Sequence, residues 1–169
     1  PVPVASLVGY TSVGKSTLFN QLCRESTWTS PQLFATLDPV LRRVSNPDGS
    51  YFFLSDTVGF IKKLPVELIT SFKATLEEVS ESDCILHVID GHSLNSDCQV
   101  QAVENILADL GITEIPVLQI FNKIDLLPNK ESLLEKNKGP DSLTVYISAK
   151  TGEGIPSLRE RLRTLLFKD

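Results

Sequence analysis

Apolar positions in this chain fall into two kinds of segment that alternate along its length. Short, nearly continuous apolar runs occur at VASLVG (4–9), VLRRVS (40–45), SYFFLSD (50–56), DCILHVID (83–90), PVLQIFN (116–122) and LTVYIS (143–148). Runs of this length read as strands, and DCILHVID, apolar nearly throughout, as a parallel strand covered on both faces. Between them apolar residues recur at helical spacing. STLFNQLC (16–23) reads as one helix, and Ile69, Phe72, Leu76 and Val79 mark a second that can start at Pro65. Val100, Val103, Leu107 and Leu110 form a third, closed by Gly111. ESLLEKNK (131–138) ends at Gly139, and Ile155, Leu158, Leu162 and Leu165 give a final helix. The NPDG turn between the second and third runs is a hairpin signal, which makes one strand antiparallel at an edge. The alternation therefore predicts an α/β domain spanning 1–169, with a mostly parallel six-stranded sheet, one antiparallel edge strand and helices on both faces. Residues 24–39 are polar, contain two prolines and show no period, so they read as a long loop of the kind that carries function.

The turn after the first strand, GYTSVGKS (9–16), matches G-x-x-x-x-G-K-[ST]. Gly9 and Gly14 allow a backbone course and a close approach that a Cβ would block. The amides from Tyr10, Thr11, Ser12 and Val13 through Lys15, Ser16 and Thr17 can converge on phosphate oxygens at the start of a helix. Lys15 supplies a mobile positive charge near the β- and γ-phosphates, and the Ser16 hydroxyl is a ligand for Mg²⁺. A glycine-rich turn with no ligand is the plain alternative. The match follows a strand and opens a helix, as the mechanism requires.

FNKID (121–125) ends the fifth strand, at the carboxyl edge where such sheets hold ligands. In N-K-x-D, Asp125 can accept from the N1–H and the exocyclic amine of guanine, whereas adenine would leave the carboxylate unpaired. The Lys123 stem can cover the base face, and Asn122 can tie this loop to the phosphate loop. Ser148, Ala149 and Lys150 follow the last strand and can present a backbone N–H to the guanine O6. The ligands expected are thus GTP and GDP with Mg²⁺.

DTVG (56–59) follows the third strand. Asp56 would hold Mg²⁺ through water, and the Gly59 amide can touch the γ-phosphate. Thr36, in LFATLDP, is the candidate for a second hydroxyl on the metal, although an ordinary loop threonine reads equally well there. The metal set is then Ser16, Thr36 and Asp56, and the groups closest to the chemistry are Lys15, Thr36 and Gly59. Phe60 follows Gly59, where a water-orienting glutamine is common in proteins with such a loop; a phenyl ring can neither donate nor accept a hydrogen bond.

Composition narrows the setting. The chain has 169 residues, 41% hydrophobic and 22% charged, with a net charge of −5, which argues against a broad nucleic-acid-binding face. Small basic groups at Lys62–Lys63 and at Arg159, Arg161 and Arg163 read as solvated helix faces. No apolar run is long enough to span a membrane. Cys23, Cys84 and Cys98 form no C-x-x-C pair, which favours a reduced, cytoplasmic location with inert thiols. The absence of methionine suggests an excised domain of a longer protein. Nothing in the pattern calls for an obligate dimer, so a monomer is expected.

GYTSVGKSTLFN, LFATLDP followed by Arg42–Arg43, DTVGFIKKLPVELITSFKATLEEV, LHVID and FNKIDLL together resemble the G domain of the HflX family of translational GTPases. The resemblance implies a Ras-like P-loop GTPase fold, GTP hydrolysis and binding to the large ribosomal subunit, with a further N-terminal domain reaching into the ribosome. It also implies slow turnover alone and stimulation by the partner. Ser12 replaces an asparagine common in relatives, which places a potassium-assisted mechanism in question. A nucleotide-gated binding module with incidental hydrolysis is the competing reading.

Overall fold

The computed structural model describes residues 1–10, 13–23, 40–56, 79–139 and 142–167. The six expected strands are β1 (Val4–Val8), β2 (Val40–Ser45), β3 (Tyr51–Asp56), β4 (Cys84–Asp90), β5 (Val117–Asn122) and β6 (Thr144–Tyr146). They lie side by side in the order β2-β3-β1-β4-β5-β6. Only β2 runs antiparallel, paired with β3 from Val40 opposite Asp56 to Ser45 opposite Tyr51. The hairpin turn uses Gly49 at φ +93°, a backbone shape open to glycine at no steric cost. The remaining pairings are parallel.

The described helices are α1 (Lys15–Cys23), α2 (Ser96–Asp109), α3 (Lys130–Lys136) and α4 (Ile155–Leu166). The helix expected from Pro65 lies outside the described residues except for its last position, Val79, which is fully buried. Successive strand residues point to opposite faces, and each face has its own core. Ala5, Leu7, Leu86, Val88, Leu118 and Ile120 pack with Leu18 and Leu22 of α1 and with Leu158 and Leu162 of α4. On the other face, Val8 and Ile85 pack with Val103 and Leu107 of α2 and with Val79. This two-sided burial is why the central strands are apolar throughout.

β1 is the point where the sheet changes direction of growth. The chain goes from β1 to β3 on one side and later to β4 on the other. The loops leaving the carboxyl ends of β1, β4 and β5 therefore meet over a crevice, the usual ligand position in such sheets.

The last strand is shorter than the sequence suggests and is finished by side chains. The outer edge of β6 is paired by Asn137, only 5% exposed. Its Nδ2 donates to the Tyr146 carbonyl at 2.7 Å, and the Tyr146 amide donates to its Oδ1 at 2.8 Å. One side-chain amide thus stands in for a neighbouring strand. Arg161 corrects the expectation of a solvated helix face: it is buried, and its guanidinium donates to the carbonyls of Ser142, Asn137 and Gly139. A planar cation with five donors can satisfy several carbonyls of one irregular loop at once. Arg159 likewise donates to Gln21 O and Leu22 O at the end of α1, whereas Arg163 faces solvent beside Glu160.

Cys23 and Cys84 are buried, and burial pushes their thiols up to about 11 and about 12, so both stay protonated at neutral pH; Cys98 is exposed. Among the described residues no helix is long and apolar enough to cross a membrane.

His87 in β4 is 2% exposed and its Nδ1 has no hydrogen-bond partner. Burial pulls the imidazole down to about 4. As pH falls below ~6.5 the unfolded chain takes up this proton first. The native state is therefore fully stable with respect to His87 above that value and loses stability as pH drops toward 4, by at most about 3 kcal/mol. Urea midpoints measured from pH 7.5 to 4.5 should fall less steeply in His87→Leu than in the wild type. Parallel slopes in the two proteins would contradict the assignment.

Candidate functional site

The phosphate loop begins where β1 ends alongside β4. A Cβ on Gly9 would lie 2.7 Å from the Val88 carbonyl, so only glycine lets the chain cross there. At the other end of the loop Gly14 has φ +89°, and a Cβ would stand 2.2 Å from Asn122 Nδ2. Gly14 meets two demands at once: a left-handed backbone and contact with the loop from β5. Its carbonyl accepts from the Leu18 amide at 3.0 Å, which starts α1. Val13 is buried and points its side chain into the core. The first-turn amides of α1 have no partners within the helix, and Ser16 and Thr17 are exposed on that turn.

Lys15 is held across the crevice. Its Nζ donates to Asp56 Oδ1 at 2.6 Å, with the side chains 10% and 22% exposed. The structure thus brings together the lysine and the carboxylate that the sequence assigns to phosphate and metal. The oxygen donors of Ser16 and Asp56 are of the hard type that Mg²⁺ takes, so the described residues fit that ion. Thr11, Ser12, Thr36 and Gly59 lie outside the described residues.

The base end is organised by Asn122, the last residue of β5 and 3% exposed. Its Nδ2 donates to the Val13 carbonyl at 2.9 Å, and its Oδ1 accepts from the Ala149 amide at 2.9 Å. One side chain therefore joins the phosphate loop to the loop after β6. The next residue, Lys123, adopts φ +70° and donates from Nζ to Asp90 Oδ2 at 3.0 Å. That ion pair extends the stem past the end of β4. Asp125 sits in a short 3-10 turn (Ile124–Leu126), with Oδ1 accepting from Ser148 Oγ at 2.8 Å. The hydroxyl steadies the carboxylate and fixes the direction in which it can accept.

Two features escaped the sequence reading. The Ala149 amide, one of the donors expected to face O6, is engaged by Asn122. Gln21 of α1 donates from Nε2 to the Ala149 carbonyl at 2.7 Å. Gln21 carries no motif signal; only its place one turn past the Lys15–Leu18 segment, on the polar side of α1, sets it apart. Away from the crevice, Lys130 at the start of α3 pairs with Glu153 at 3.2 Å, and so braces the loop after β6 from outside.

Comparison with known proteins agrees with this geometry. The family model described as "50S ribosome-binding GTPase" matches residues 4–123. The chain is 44% identical over 161 residues to GTPase HflX of Escherichia coli strain K12, covering 95% of this chain and 38% of that protein. It is 45% identical over 168 residues to GTPase HflX of Caldanaerobacter subterraneus subsp. tengcongensis, covering 99% of this chain and 38% of that protein. The chain thus spans well under half the length of these relatives. Among solved structures, a GTP-binding protein from the archaeon Sulfolobus solfataricus in complex with GDP is similar at a TM-score of 0.74 and 30% identity, over 98% of this chain and 53% of that one.

Asn122→Ala would strand the Val13 carbonyl and the Ala149 amide at a buried position. Each unpaired group costs roughly 1–3 kcal/mol. The variant should lose ~2–6 kcal/mol in urea unfolding on that basis. A loss under ~0.5 kcal/mol would show that the bridge is not structural.

Proposed function

Because the chain belongs to the 50S ribosome-binding GTPase family, as a G domain of HflX type, we propose that it binds GTP with Mg²⁺ and hydrolyses the γ-phosphate. In this reading it is the nucleotide-dependent switch of a longer, cytoplasmic, monomeric protein that acts on the large ribosomal subunit. The observation that carries the proposal is the pair of 2.9 Å contacts by which Asn122 joins the phosphate loop to the base loop. They tie the loop that leads to Lys15 to the segments that carry Asp125 and Ser148, which supports one ligand meeting both.

Each residue has a role that follows from its chemistry. Asp125, steadied by Ser148, accepts from the guanine edge, and Lys123 lines the base. Lys15 and the amides of Gly9 through Thr17 hold phosphate oxygens where charge builds up in transfer. Ser16, Asp56 and Thr36 would hold the metal, which supplies further charge neutralisation on the phosphates. The Gly59 amide meets the γ-phosphate. Water attacks the γ-phosphorus and the bond to the β-phosphate oxygen breaks, leaving GDP and inorganic phosphate.

Phe60 cannot orient that water, so turnover alone is slow and a partner must order the site or add a group in trans. Ser12 removes the asparagine on which a potassium ion would depend. Arg43 stacks its guanidinium over Tyr51 at 3.9 Å on the hairpin, which supports a place on the strand surface over an arginine finger in cis.

Single-turnover hydrolysis by the full-length protein, with and without large ribosomal subunits, tests the proposal. Acceleration on the order of 10³-fold is expected, the scale at which a partner supplies a missing group. GTP-dependent binding with no acceleration would instead make the domain a nucleotide-gated binding module. Absence of both binding and hydrolysis would overturn the proposal.

A further inference from the structure

The loop after β6 is tied to Asp125 through Ser148 Oγ, and of its five backbone amides from Ser148 to Gly152 four are engaged. Ser148 N–H donates to the Glu153 carbonyl at 2.8 Å, and Gly152 N–H donates to the Ser148 carbonyl at 2.8 Å. Ala149 N–H donates to Asn122 Oδ1 at 2.9 Å, and Thr151 N–H donates to Ser148 Oγ at 3.1 Å. Of these five, the Lys150 N–H alone has no partner among the described residues. It belongs to the peptide whose carbonyl, Ala149 O, accepts from Gln21 Nε2 at 2.7 Å.

No cis peptide bond occurs among the described residues, so this peptide is planar and trans. In a trans peptide the C=O and the following N–H point in opposite directions. A donor that grips the carbonyl from α1 therefore turns the N–H away from α1. The helix backbone at Gln21 is anchored as well, its main-chain carbonyl accepting from Arg159 Nη2 at 3.1 Å.

We infer that Gln21 is a specificity-positioning residue, which holds the Ala149–Lys150 peptide so that the Lys150 N–H donates to the O6 of guanine. The inference rests on the proposal that the crevice takes a guanosine nucleotide. It adds that the helix whose first turn holds the phosphates also sets the donor for the base. Gln21 itself touches no ligand. Its loss removes no charge and no direct contact, only the orientation of one amide.

Binding of GDP and of 6-thioguanosine diphosphate to full-length protein separates this role from simple bracing of the loop. The two nucleotides differ in one atom, and sulfur is the weaker acceptor. Gln21→Glu keeps the size of the side chain but cannot donate to the carbonyl, and Gln21→Ala removes the reach altogether. In both variants GDP affinity should fall ~3- to 10-fold, the range of one hydrogen bond. Affinity for the thio analogue should change less than about twofold by the same reasoning, so the preference for oxygen shrinks. An equal loss for both nucleotides, or no loss for either, would overturn the inference while leaving guanosine binding intact. Circular dichroism melts check that each variant is folded; should Gln21→Ala not fold, the near-isosteric Gln21→Glu decides alone. A wild-type protein that binds neither nucleotide would remove the guanosine reading and this inference with it.

Discussion

The Asn122 side chain is the joint on which the site depends. It ends β5, is almost wholly buried, and uses both halves of its amide on backbone groups from two other loops. A buried amide with both partners in place resists rotation, since any other setting would leave groups unpaired. The phosphate loop must in turn come close enough to be reached, and this is why position 14 carries no Cβ. The spacing between the two ends of the crevice is thereby set by covalent geometry and two short hydrogen bonds. Loops meeting by chance would not fix it.

Electrostatic balance follows from the same arrangement. Lys15 and Asp56 form one ion pair over β1 and β3, and Lys123 and Asp90 form another where β4 and β5 end. Each lysine is thus steadied by a carboxylate from the neighbouring strand while remaining at the edge of the crevice. Ser148 plays the matching part for Asp125. Lys123 and Asp125, which would meet the base, are oriented by Asp90 and Ser148 from outside the contact itself, which lowers the ordering cost of binding.

Much of this was legible in the chain. The apolar runs gave the central strands because both sheet faces are covered there, the NPDG hairpin signal gave the β2–β3 pair, and the spacing of N-K-x-D and of G-x-x-x-x-G-K-S is fixed by the chemistry they serve. The misses share a cause. Arg161, Asn137 and Gln21 are polar residues that pattern reading assigns to solvent, yet each reaches the backbone of a loop distant in sequence. Such contacts depend on which loops the topology brings together, and no local period records that. α2 likewise begins at Ser96, before the first apolar position at Val100, because its opening turn is polar. Thr36 and Gly59, read from sequence as metal and γ-phosphate contacts, lie outside the described residues and keep the standing that chemistry alone lends them.

The central claim is that one crevice, spanned by Asn122, holds the base and the phosphates of a single guanosine nucleotide. Isothermal titration calorimetry of the folded protein with Mg²⁺ against GDP and ADP tests it most directly. GDP should bind one-to-one and be preferred over ADP by ~10⁴-fold, the scale that an unpaired carboxylate facing adenine imposes. Equal affinity for the two nucleotides, or no heat from GDP, would contradict it.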